Sequence, residues 1–510
     1  MQRKNQVVFY YLFLILTLAA LASVIFLLYF VLIRKLDWYL FAIVILVYFF
    51  NLIFNLYLLL QQRNFEAKIS WIAIFSIIPF IGSFLYVIYG RRYINRKNSK
   101  HFFQEYKNFT KQENLQIPNI EVENDKKFLL EYAQNKFNSP IRSFNSEIIV
   151  DGFKFFELFF NAIRNAKKFI FIDTFIIKND FIWKELKQIL IQKSLEGVEV
   201  KIIVDSLGVY FIKNREWKDL KSNKVEILFY NIIKFPFLSG NKLYRNHRKV
   251  YLIDGEMVFT GGNNISEEYI GFNKKFGYWV DLNMKLEGSI VQSYTQNFLF
   301  SWNKWSSKKQ QFVYKKEEYL ATVPINEDSK DSKNYGVVLQ SGPVTEESII
   351  EGFILKQIYS ARKKIQLFTP YFAPSQKIID ALSDVLLAGI EVEIYIPGKN
   401  DKSFFIYFNS YFAKMLKEKG AKIYIFKKLF YHSKSIIIDE KIGIMGTLNL
   451  DLRSLFSQFE ISLLLTGPGI NTYLEYIQDM KNKKIVVEKQ NYIKINLFFK
   501  MLIHLFKPIV

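Results

Sequence analysis

Two scarcities limit what this chain can do. Its 510 residues include no cysteine, so disulfides, thiolate metal sites and a cysteine nucleophile are excluded. It has only four histidines, so imidazole chemistry must come from a few positions that can be named. We also find no acidic cluster of the kind that holds a metal ion, and we therefore expect neither a metal nor any other cofactor.

The length and net charge of the chain limit the classes of protein to which it can belong. At 510 residues it exceeds one ordinary domain and can bury a large core. The net charge of +22 favours an anionic partner, for which nucleic acid and anionic lipid both qualify. The N-terminal region favours anionic lipid over nucleic acid as the partner.

Long apolar runs open the sequence. Residues 7–33 form an apolar run long enough to cross a bilayer, and residues 40–60 form a second. Neither ends in a small-residue cleavage site, which argues against a removed signal peptide. A third stretch, 71–90, contains Pro79 and Gly82. A third span, a re-entrant segment and an interfacial helix are all compatible with it, and we favour a short membrane-embedded element over a full span. A buried core helix is the alternative, but the length of the first two runs disfavours it.

A basic cluster follows these apolar runs. Five Lys and Arg residues lie between positions 91 and 100. Positive charge of this kind marks the cytoplasmic side of a membrane segment. The sequence therefore predicts a multi-pass protein of the cell membrane whose catalytic domain is cytoplasmic.

Composition divides the whole chain into six parts. We predict a membrane region over 1–100, a juxtamembrane linker over 101–139, a first lobe over 140–305, an inter-lobe connection over 306–334, a second lobe over 335–484 and a tail over 485–510. The tail has the pattern of a basic amphipathic helix, which would lie on an anionic membrane or pack on the catalytic domain.

The two lobes are predicted from a repeated motif, H-x-K-x4-D. It occurs twice at the same spacing, as His247, Lys249 and Asp254 and again as His432, Lys434 and Asp439. Each copy is followed by a glycine turn, and the two turns end at Asn264 and Asn449. Two of the four histidines therefore belong to one repeated pattern.

The similarity extends on both sides of the motif. Downstream, Asp281 and Glu460 each precede a glycine by seven residues. Upstream, GVEVKIIVD from Gly197 matches GIEVEIYIP from Gly389. Each half thus has a buried strand, a helix, a second strand, the motif strand, the glycine turn and a carboxylate strand. We predict an α/β fold of two pseudo-symmetric lobes with the site at their interface.

The motif suits phosphate chemistry. On a strand the His and Lys of H-x-K point to one face, because side chains alternate. The lysines can neutralise phosphate oxygens, and Asn264 and Asn449 can donate hydrogen bonds to them. If the lobes bring both sets together, one imidazole can attack phosphorus and form a phosphohistidine while the other transfers protons.

Four carboxylates complete the candidate site. Asp281 and Glu460 are candidates to hold the second nitrogen of each imidazole. Asp254 and Asp439 belong to the repeated pattern and are counted with the histidines and lysines as catalytic candidates. Their position at a strand end equally suits a turn, so a structural role is the alternative.

The paired motifs resemble those of the phospholipase D superfamily. The stretches YRNHRK, TPYF at 369–372 and GTLNLDLRS at 446–454, with the apolar N-terminus, resemble bacterial cardiolipin synthases. The resemblance implies transfer of a phosphatidyl group from one phosphatidylglycerol to another, giving cardiolipin and glycerol. It also implies that His247 attacks and that His432 acts as acid and base. The chain departs from the family at Gln458, often an asparagine, and at Thr174 and Phe175, where a tyrosine is common.

Other functions are compatible with the motifs. A phospholipase D-type hydrolase would release phosphatidic acid, and a different transferase would use another acceptor alcohol. A membrane-tethered nuclease would act on nucleic acid, and a non-catalytic scaffold would only bind anionic lipid. The membrane runs and the intact motifs favour the phosphatidyltransferase. We therefore expect phosphatidylglycerol, other anionic lipids and a membrane as partners, and no nucleic acid; the sequence does not indicate the oligomeric state.

Overall fold

The computed structural model describes residues 38–61, 65–77, 82, 84–86, 96–110, 123–232, 244–271, 277–306, 319–320, 334–343, 348–427, 429–489 and 492–509. The chain divides into two compact units. The smaller comprises Met1–Asn95, Phe235–Asn241 and Met501–Ile509; the larger comprises Arg96–Lys234, Lys242–Lys500 and Val510.

A 16-stranded sheet runs through the larger unit. The strands of the described residues are β1 (Arg142–Ile149), β2 (Phe169–Thr174), β3 (Glu199–Asp205), β4 (Glu226–Tyr230), β5 (Arg245–Asn246), β6 (Val250–Ile253), β7 (Met257–Gly261), β8 (Tyr278–Val280), β9 (Asn283–Gly288), β10 (Asn334–Ser341), β11 (Lys364–Phe368), β12 (Glu391–Pro397), β13 (Lys422–Phe426), β14 (Leu429–Tyr431), β15 (Ser435–Ile438), β16 (Ile442–Gly446), β17 (Gln458–Thr466) and β18 (Val486–Glu488).

Apart from β18, which lies beside β13, and β5, which pairs with β17, the sheet consists of two copies of one arrangement joined edge to edge. Outward from the junction, the first copy has the order β1, β9, β7, β6, β2, β3, β4, and the second has β10, β17, β16, β15, β11, β12, β13. At the junction β1 and β10 are antiparallel, with Arg142 opposite Gly336. The motif strands β6 and β15 hold equivalent places. The expected α/β fold built from a repeated lobe is confirmed.

Helices of the larger unit cover its sheet, and polar side chains begin several of them. The helices of the described residues are α1 (Trp38–Leu60), α2 (Phe65–Ile77), α3 (Arg96–Thr110), α4 (Asn124–Phe137), α5 (Gly152–Arg164), α6 (Phe181–Leu195), α7 (Asn214–Ser222), α8 (Ile290–Trp305), α9 (Ile349–Ser360), α10 (Gln376–Leu387), α11 (Phe405–Lys417), α12 (Leu452–Phe456), α13 (Pro468–Asn482) and α14 (Leu497–Phe506). Asp151, Asp180, Ser348 and Ser375 each accept the backbone N–H three residues later, which caps α5, α6, α9 and α10.

The sheet is buried on both faces. All six residues of β2 are buried, which explains why this strand has an apolar run rather than alternation. One core includes Phe159 of α5 and Trp183 of α6. The other includes Trp302 of α8 and Tyr473 of α13 and joins residues of both halves. With both faces covered, the strand ends are the places left for a site.

Two short strands cross from one half to the other. β5, which ends just before His247, pairs in parallel with β17 of the second half. β14, which ends just before His432, pairs in parallel with β8 of the first half. Each motif histidine is therefore held beside the carboxylate of the opposite lobe.

The predicted linker, 101–139, contains helical structure of the larger unit. Phe102 and Tyr106 of α3 pack with Phe300 and Phe459, which come from the two halves. The Nδ2 atom of Asn297 also donates to the Tyr106 hydroxyl at 3.0 Å. These contacts hold α3 against the lobes. Most of the predicted inter-lobe connection, 306–334, lies outside the described residues.

In the smaller unit, α1 and α2 share a small cluster of buried side chains, Leu58, Phe75 and Tyr86. Within the ranges given above, no helix combines the length and the hydropathy needed to cross a membrane. The apolar run over residues 7–33 and most of 78–90 lie outside the described residues.

Candidate active site

His247 lies in a buried position with its ring against a carboxylate from the second lobe. Its Nδ1 atom is 3.0 Å from both carboxylate oxygens of Glu460. Its backbone N–H donates to the Phe459 carbonyl at 2.9 Å, which extends the pairing of β5 with β17. Backbone and side chain thus fix this imidazole together.

His432 has the equivalent arrangement with the two lobes exchanged. Its Nδ1 atom is 2.5 Å from Oδ2 of Asp281, a residue of the first lobe. Its backbone N–H donates to the Val280 carbonyl at 2.8 Å. The structure therefore places each predicted orienting carboxylate on an imidazole, but the pairs are crossed between the lobes.

The two lysines are buried next to the histidines. Lys249 Nζ donates to the His247 carbonyl at 2.7 Å. Lys434 Nζ donates to the His432 carbonyl and lies 3.5 Å from the Asp281 carboxylate. Burial lowers the pKa of Lys249 to about 7, and it lowers the pKa of Lys434 as well.

The residue between each His and Lys points the other way. Arg248 donates to the Ser301 hydroxyl at 2.6 Å and lies over the rings of Trp305 and Phe459. Ser433 lies 2.8 Å from the hydroxyl of Tyr473. The expected strand is not formed at the motif itself, because residues 247–249 lie between β5 and β6 and residues 432–434 lie between β14 and β15. The middle residue of each motif nevertheless contacts the side away from the His and Lys pair and anchors the chain there.

Charged groups from both lobes affect the pKa of each imidazole. Burial, and then the charges of Lys249 and Lys434, hold the pKa of His247 well below its usual value, and His432 contributes in the same direction. Burial, followed by the charge of Lys434, lowers the pKa of His432 to about 4, although Asp281 opposes the change. Groups of both lobes therefore act on one imidazole.

The two carboxylates differ. Burial raises the pKa of Glu460 to about 8, with Lys249 opposing the change. Burial would also raise the pKa of Asp281, but Lys434 and His432 outweigh it and the pKa lies below its usual value. Asp281 is thus ionised at neutral pH, whereas Glu460 retains its proton in a large share of molecules.

The glycine turns support these carboxylates in different ways. A Cβ atom on Gly262 would lie 2.0 Å from Oδ1 of Asp281, so only glycine leaves room for that carboxylate. At the equivalent place in the second lobe, the Thr447 hydroxyl contacts Oε2 of Glu460 at 2.5 Å. Sequence reasoning did not single out Thr447, although its place in the repeated turn was a usable signal.

The predicted phosphate-binding asparagines are close to the motifs but not alike. Asn264 accepts the Ile176 N–H at 3.1 Å and contacts the Tyr269 hydroxyl, so its amide holds the turn. Asn449 donates to the Ser454 hydroxyl over a long 3.4 Å, and its buried Oδ1 has no partner in the described part of the chain. Of the two side-chain amides, that of Asn449 therefore makes the weaker hydrogen bonds.

Asp254 and Asp439 lie at the strand ends away from the lysines. Asp254 accepts the backbone N–H groups of residues 167–169 at 2.7–2.9 Å. Asp439 accepts those of residues 362–364 over the same range. Both have positive φ, 55° and 52°. These contacts correspond to the structural alternative, the anchoring of β2 and β11, rather than to contact with a reacting group.

A second group of polar residues holds Arg245 and Asn246, the two residues just before His247. The carboxylate of Asp205 binds the Arg245 guanidinium and accepts the Asn246 N–H at 2.8 Å. Asn246 donates in turn to Asp173 at 2.5 Å. Arg245 thus pairs with a buried carboxylate. The signal missed was an aspartate at the end of a buried strand, just before a loop.

Aromatic rings surround the imidazoles. The Phe175 ring is 5.1 Å from that of His247, between ring centres. Trp279 and Tyr371 lie 4.9 Å and 5.9 Å from His432. Among the described residues no group of three or more His, Asp or Glu side chains is arranged to hold a metal ion.

Two like α/β lobes, each with a buried histidine and lysine of the repeated motif, are the arrangement of a phospholipase D-like domain. The family model described as "Cardiolipin synthase, PLD-like domain" matches residues 159–302 and 354–482, more than half of the chain. The chain belongs to this cardiolipin synthase family.

Known proteins are similar to this chain over most of its length. Cardiolipin synthase 2 of Bacillus anthracis is 32% identical over 459 residues, which cover 88% of this chain and 86% of the relative. Cardiolipin synthase of Clostridium perfringens is 33% identical over 438 residues, 83% of this chain and 89% of the relative. Phosphatidylserine synthase from Haemophilus influenzae Rd KW20 shares the fold, with a TM-score of 0.54 at 14% identity over 74% of this chain and 96% of that one.

Proposed function

We propose that this chain makes cardiolipin from two phosphatidylglycerol molecules, with glycerol as the second product. The observation that carries the proposal is the crossed pair of buried imidazoles, His247 on Glu460 and His432 on Asp281. Membership of the cardiolipin synthase family supports the lipid substrate, since the relatives bear that name.

In the first step, Nε2 of His247 attacks the phosphorus of one phosphatidylglycerol. An N–P bond forms, the P–O bond to the terminal glycerol breaks, and His432 gives a proton to the departing oxygen. Lys249 and Lys434 neutralise the charge on the phosphoryl oxygens. A phosphatidyl group is then held on His247, and free glycerol leaves.

In the second step, the terminal hydroxyl of another phosphatidylglycerol attacks the phosphohistidine. His432 takes the proton of that hydroxyl, a new P–O bond forms, and the N–P bond breaks. Cardiolipin leaves, and both histidines return to their starting states. The step needs no oxidant, reductant or co-reactant.

The burial of the histidines favours an alcohol over water as the acceptor. His247 is 8% exposed and His432 is 6% exposed, and aromatic rings line both. Excluding water protects a covalent intermediate from hydrolysis until the lipid acceptor arrives. Of the two asparagines, Asn449 is the better candidate to bind a phosphoryl oxygen, because its present hydrogen bond is long.

The same proposal places the protein at the cell membrane as a multi-pass protein with a cytoplasmic catalytic domain. The apolar runs over 7–33 and 40–60 and the basic cluster after them support it. Several apolar side chains of α1, including Ile43, Leu46 and Phe49, are exposed in the structure, as a lipid-facing surface requires.

Product analysis tests the activity. Membranes containing the full chain, incubated with phosphatidylglycerol labelled in its terminal glycerol, are expected to release labelled glycerol and to form cardiolipin. Phosphatidic acid without cardiolipin would show a hydrolase instead. A His247→Ala, His432→Ala double variant serves as the control for activities of the host membrane.

A further inference from the structure

Two loops at the carboxyl ends of the strands carry apolar side chains that are exposed. The first rim loop, residues 206–213, follows β3, and the second rim loop, residues 398–404, follows β12 at the equivalent place in the other lobe. The rim surface is defined by Leu207, Tyr210, Phe211, Phe404 and Tyr407, the last on the first turn of α11; all are exposed, and Phe211 is 91% exposed.

The first rim loop is tied directly to the His247 half-site. Asp205 accepts the Leu207 N–H at 2.9 Å with one oxygen and the Asn246 N–H at 2.8 Å with the other. Gly208 lies so close to Phe175 that a Cβ atom would be 1.7 Å from its carbonyl oxygen. The loop therefore rests on the residue whose ring contacts His247.

The second rim loop is tied to the His432 half-site by a different contact. The Tyr371 hydroxyl donates to the carboxylate of Asp401 at 2.7 and 2.8 Å. Lys402 lies 4.9 Å above the same ring. The Tyr371 ring in turn contacts His432. The rim surface thus flanks one site from both sides.

The charges around the rim surface identify its partner. Lys213 at the end of the first rim loop and Arg215 just after it are exposed, as are Lys399 and Lys402 on the second rim loop. Aromatic side chains with basic neighbours suit the interface of an anionic bilayer. A second copy of this chain would bring two basic rims together, which repel each other.

We propose that the rim surface docks into an anionic lipid bilayer, with its apolar side chains among the acyl chains and its basic side chains at the headgroups. Phosphatidylglycerol then reaches the paired histidines without leaving the membrane. The substrate part of this inference rests on the proposed function; the docking itself does not.

Fluorescence in lipid vesicles tests the docking. Because the chain has no native cysteine, single variants Phe211→Cys and Phe404→Cys can each carry one environment-sensitive fluorophore. Leu195→Cys and Leu387→Cys are matched controls, since both are exposed leucines at helix ends that precede β3 and β12 and so lie at the opposite edge of the sheet. The full chain is reconstituted in vesicles of phosphatidylglycerol and phosphatidylcholine, with a quencher on the acyl chains.

We expect quenching at 211 and 404 and little at 195 and 387. Equal quenching at all four positions, or none at the rim, overturns the proposal. A fluorescence change that follows protein density and not the quencher points to a second copy instead and also overturns it.

A kinetic measurement separates this proposal from the proposed function. The Phe211→Ser, Phe404→Ser variant is expected to need about tenfold more surface phosphatidylglycerol for half-maximal rate, with kcat kept, because apolar area no longer enters the bilayer. Leu195→Ser with Leu387→Ser is expected to match the parent. If the parent makes no cardiolipin, the proposed function fails while the quenching result still decides the docking; an unchanged KM with parent-like cardiolipin synthesis overturns the docking alone.

Discussion

The half-site around His247 and the half-site around His432 come from the same repeat, yet their carboxylates differ in charge. Glu460 is the longer side chain, meets a threonine hydroxyl and has its pKa raised to about 8 by burial. Asp281 is ionised, since the charge of Lys434 and the imidazole of His432 outweigh the effect of burial on its pKa. One imidazole therefore has a fixed negative neighbour and the other has a carboxyl group that is largely neutral.

This difference gives the two histidines unlike tasks. An ionised Asp281 stabilises the imidazolium that forms when His432 accepts a proton, as an acid and base must. His247, whose pKa is held well below its usual value, stays neutral and keeps a lone pair for attack on phosphorus. The low pKa of His247 and the charge of Asp281 thus agree with the division of labour that the family resemblance implies. His432, with its pKa lowered to about 4, is neutral before substrate binds, so it must take up the proton that it donates in the first step.

The largest expected effect comes from removing either imidazole. His247→Ala and His432→Ala should each lower turnover by at least ~10²–10⁴-fold. Only the His432→Ala enzyme should leave lipid phosphate covalently attached to denatured protein after rapid quenching of a reaction with labelled lipid, because His247 remains. Label trapped on the His247→Ala enzyme would reverse the assignment of the two half-sites.

The second largest effect on turnover is expected when Asp281 or Glu460 is replaced by its amide. Asp281→Asn should lower kcat by roughly 10²-fold or more, since an amide carries no charge to stabilise the His432 imidazolium. Glu460→Gln should cost less than about tenfold, because it replaces a carboxyl group that is already largely neutral. Steady-state rates on mixed lipid micelles compare the pair. Equal losses would remove the electrostatic distinction between the half-sites.

The two turn residues should respond unequally as well. Gly262→Ala would drive a methyl group into Asp281, and a shift of that carboxylate should lower kcat by up to ~10²-fold. Thr447→Val keeps the shape and loses a hydroxyl, which should cost only about one hydrogen bond, less than tenfold. The kcat of each variant is the measurement. A Thr447→Val loss as large as that of Gly262→Ala contradicts this ranking.

The pH dependence tests one lysine. Lys249, with a pKa of about 7, loses its charge as the pH rises through neutrality and then binds phosphate less well. The kcat/KM of the parent should therefore fall above about pH 7, by up to roughly tenfold. Lys249→Arg, whose guanidinium stays charged, should move that fall to higher pH. An unchanged profile in the arginine variant would mean that another group titrates.

The smallest effect on rate is expected at the strand ends. Asp254→Asn and Asp439→Asn each weaken a carboxylate that accepts three backbone N–H groups, which should cost about 1–3 kcal/mol of stability. Thermal unfolding of the full chain in detergent measures this change. Turnover at a temperature where the variants are folded should stay within about twofold. A loss of turnover comparable to that expected for Asp281→Asn would restore these aspartates to the catalytic set.

The sequence alone determined the repeated lobe, the paired His and Lys on one face, and the matching carboxylates. These features depend on the spacing of residues within one half, which is a local property of the chain. It could not rank the two interpretations of Asp254 and Asp439, because the amides that they bind lie some 75 to 87 residues away along the chain.

Only the tertiary structure decided which carboxylate serves which histidine. The pairing of β5 with β17 and of β14 with β8 brings together segments more than 100 residues apart along the chain. Strands of two or three residues have no local sequence pattern from which the strand they pair with could be predicted. The charge difference between Glu460 and Asp281 likewise depends on burial and on neighbours from the other lobe. Identical motifs became unlike half-sites because folding, and not the motif, supplied their surroundings.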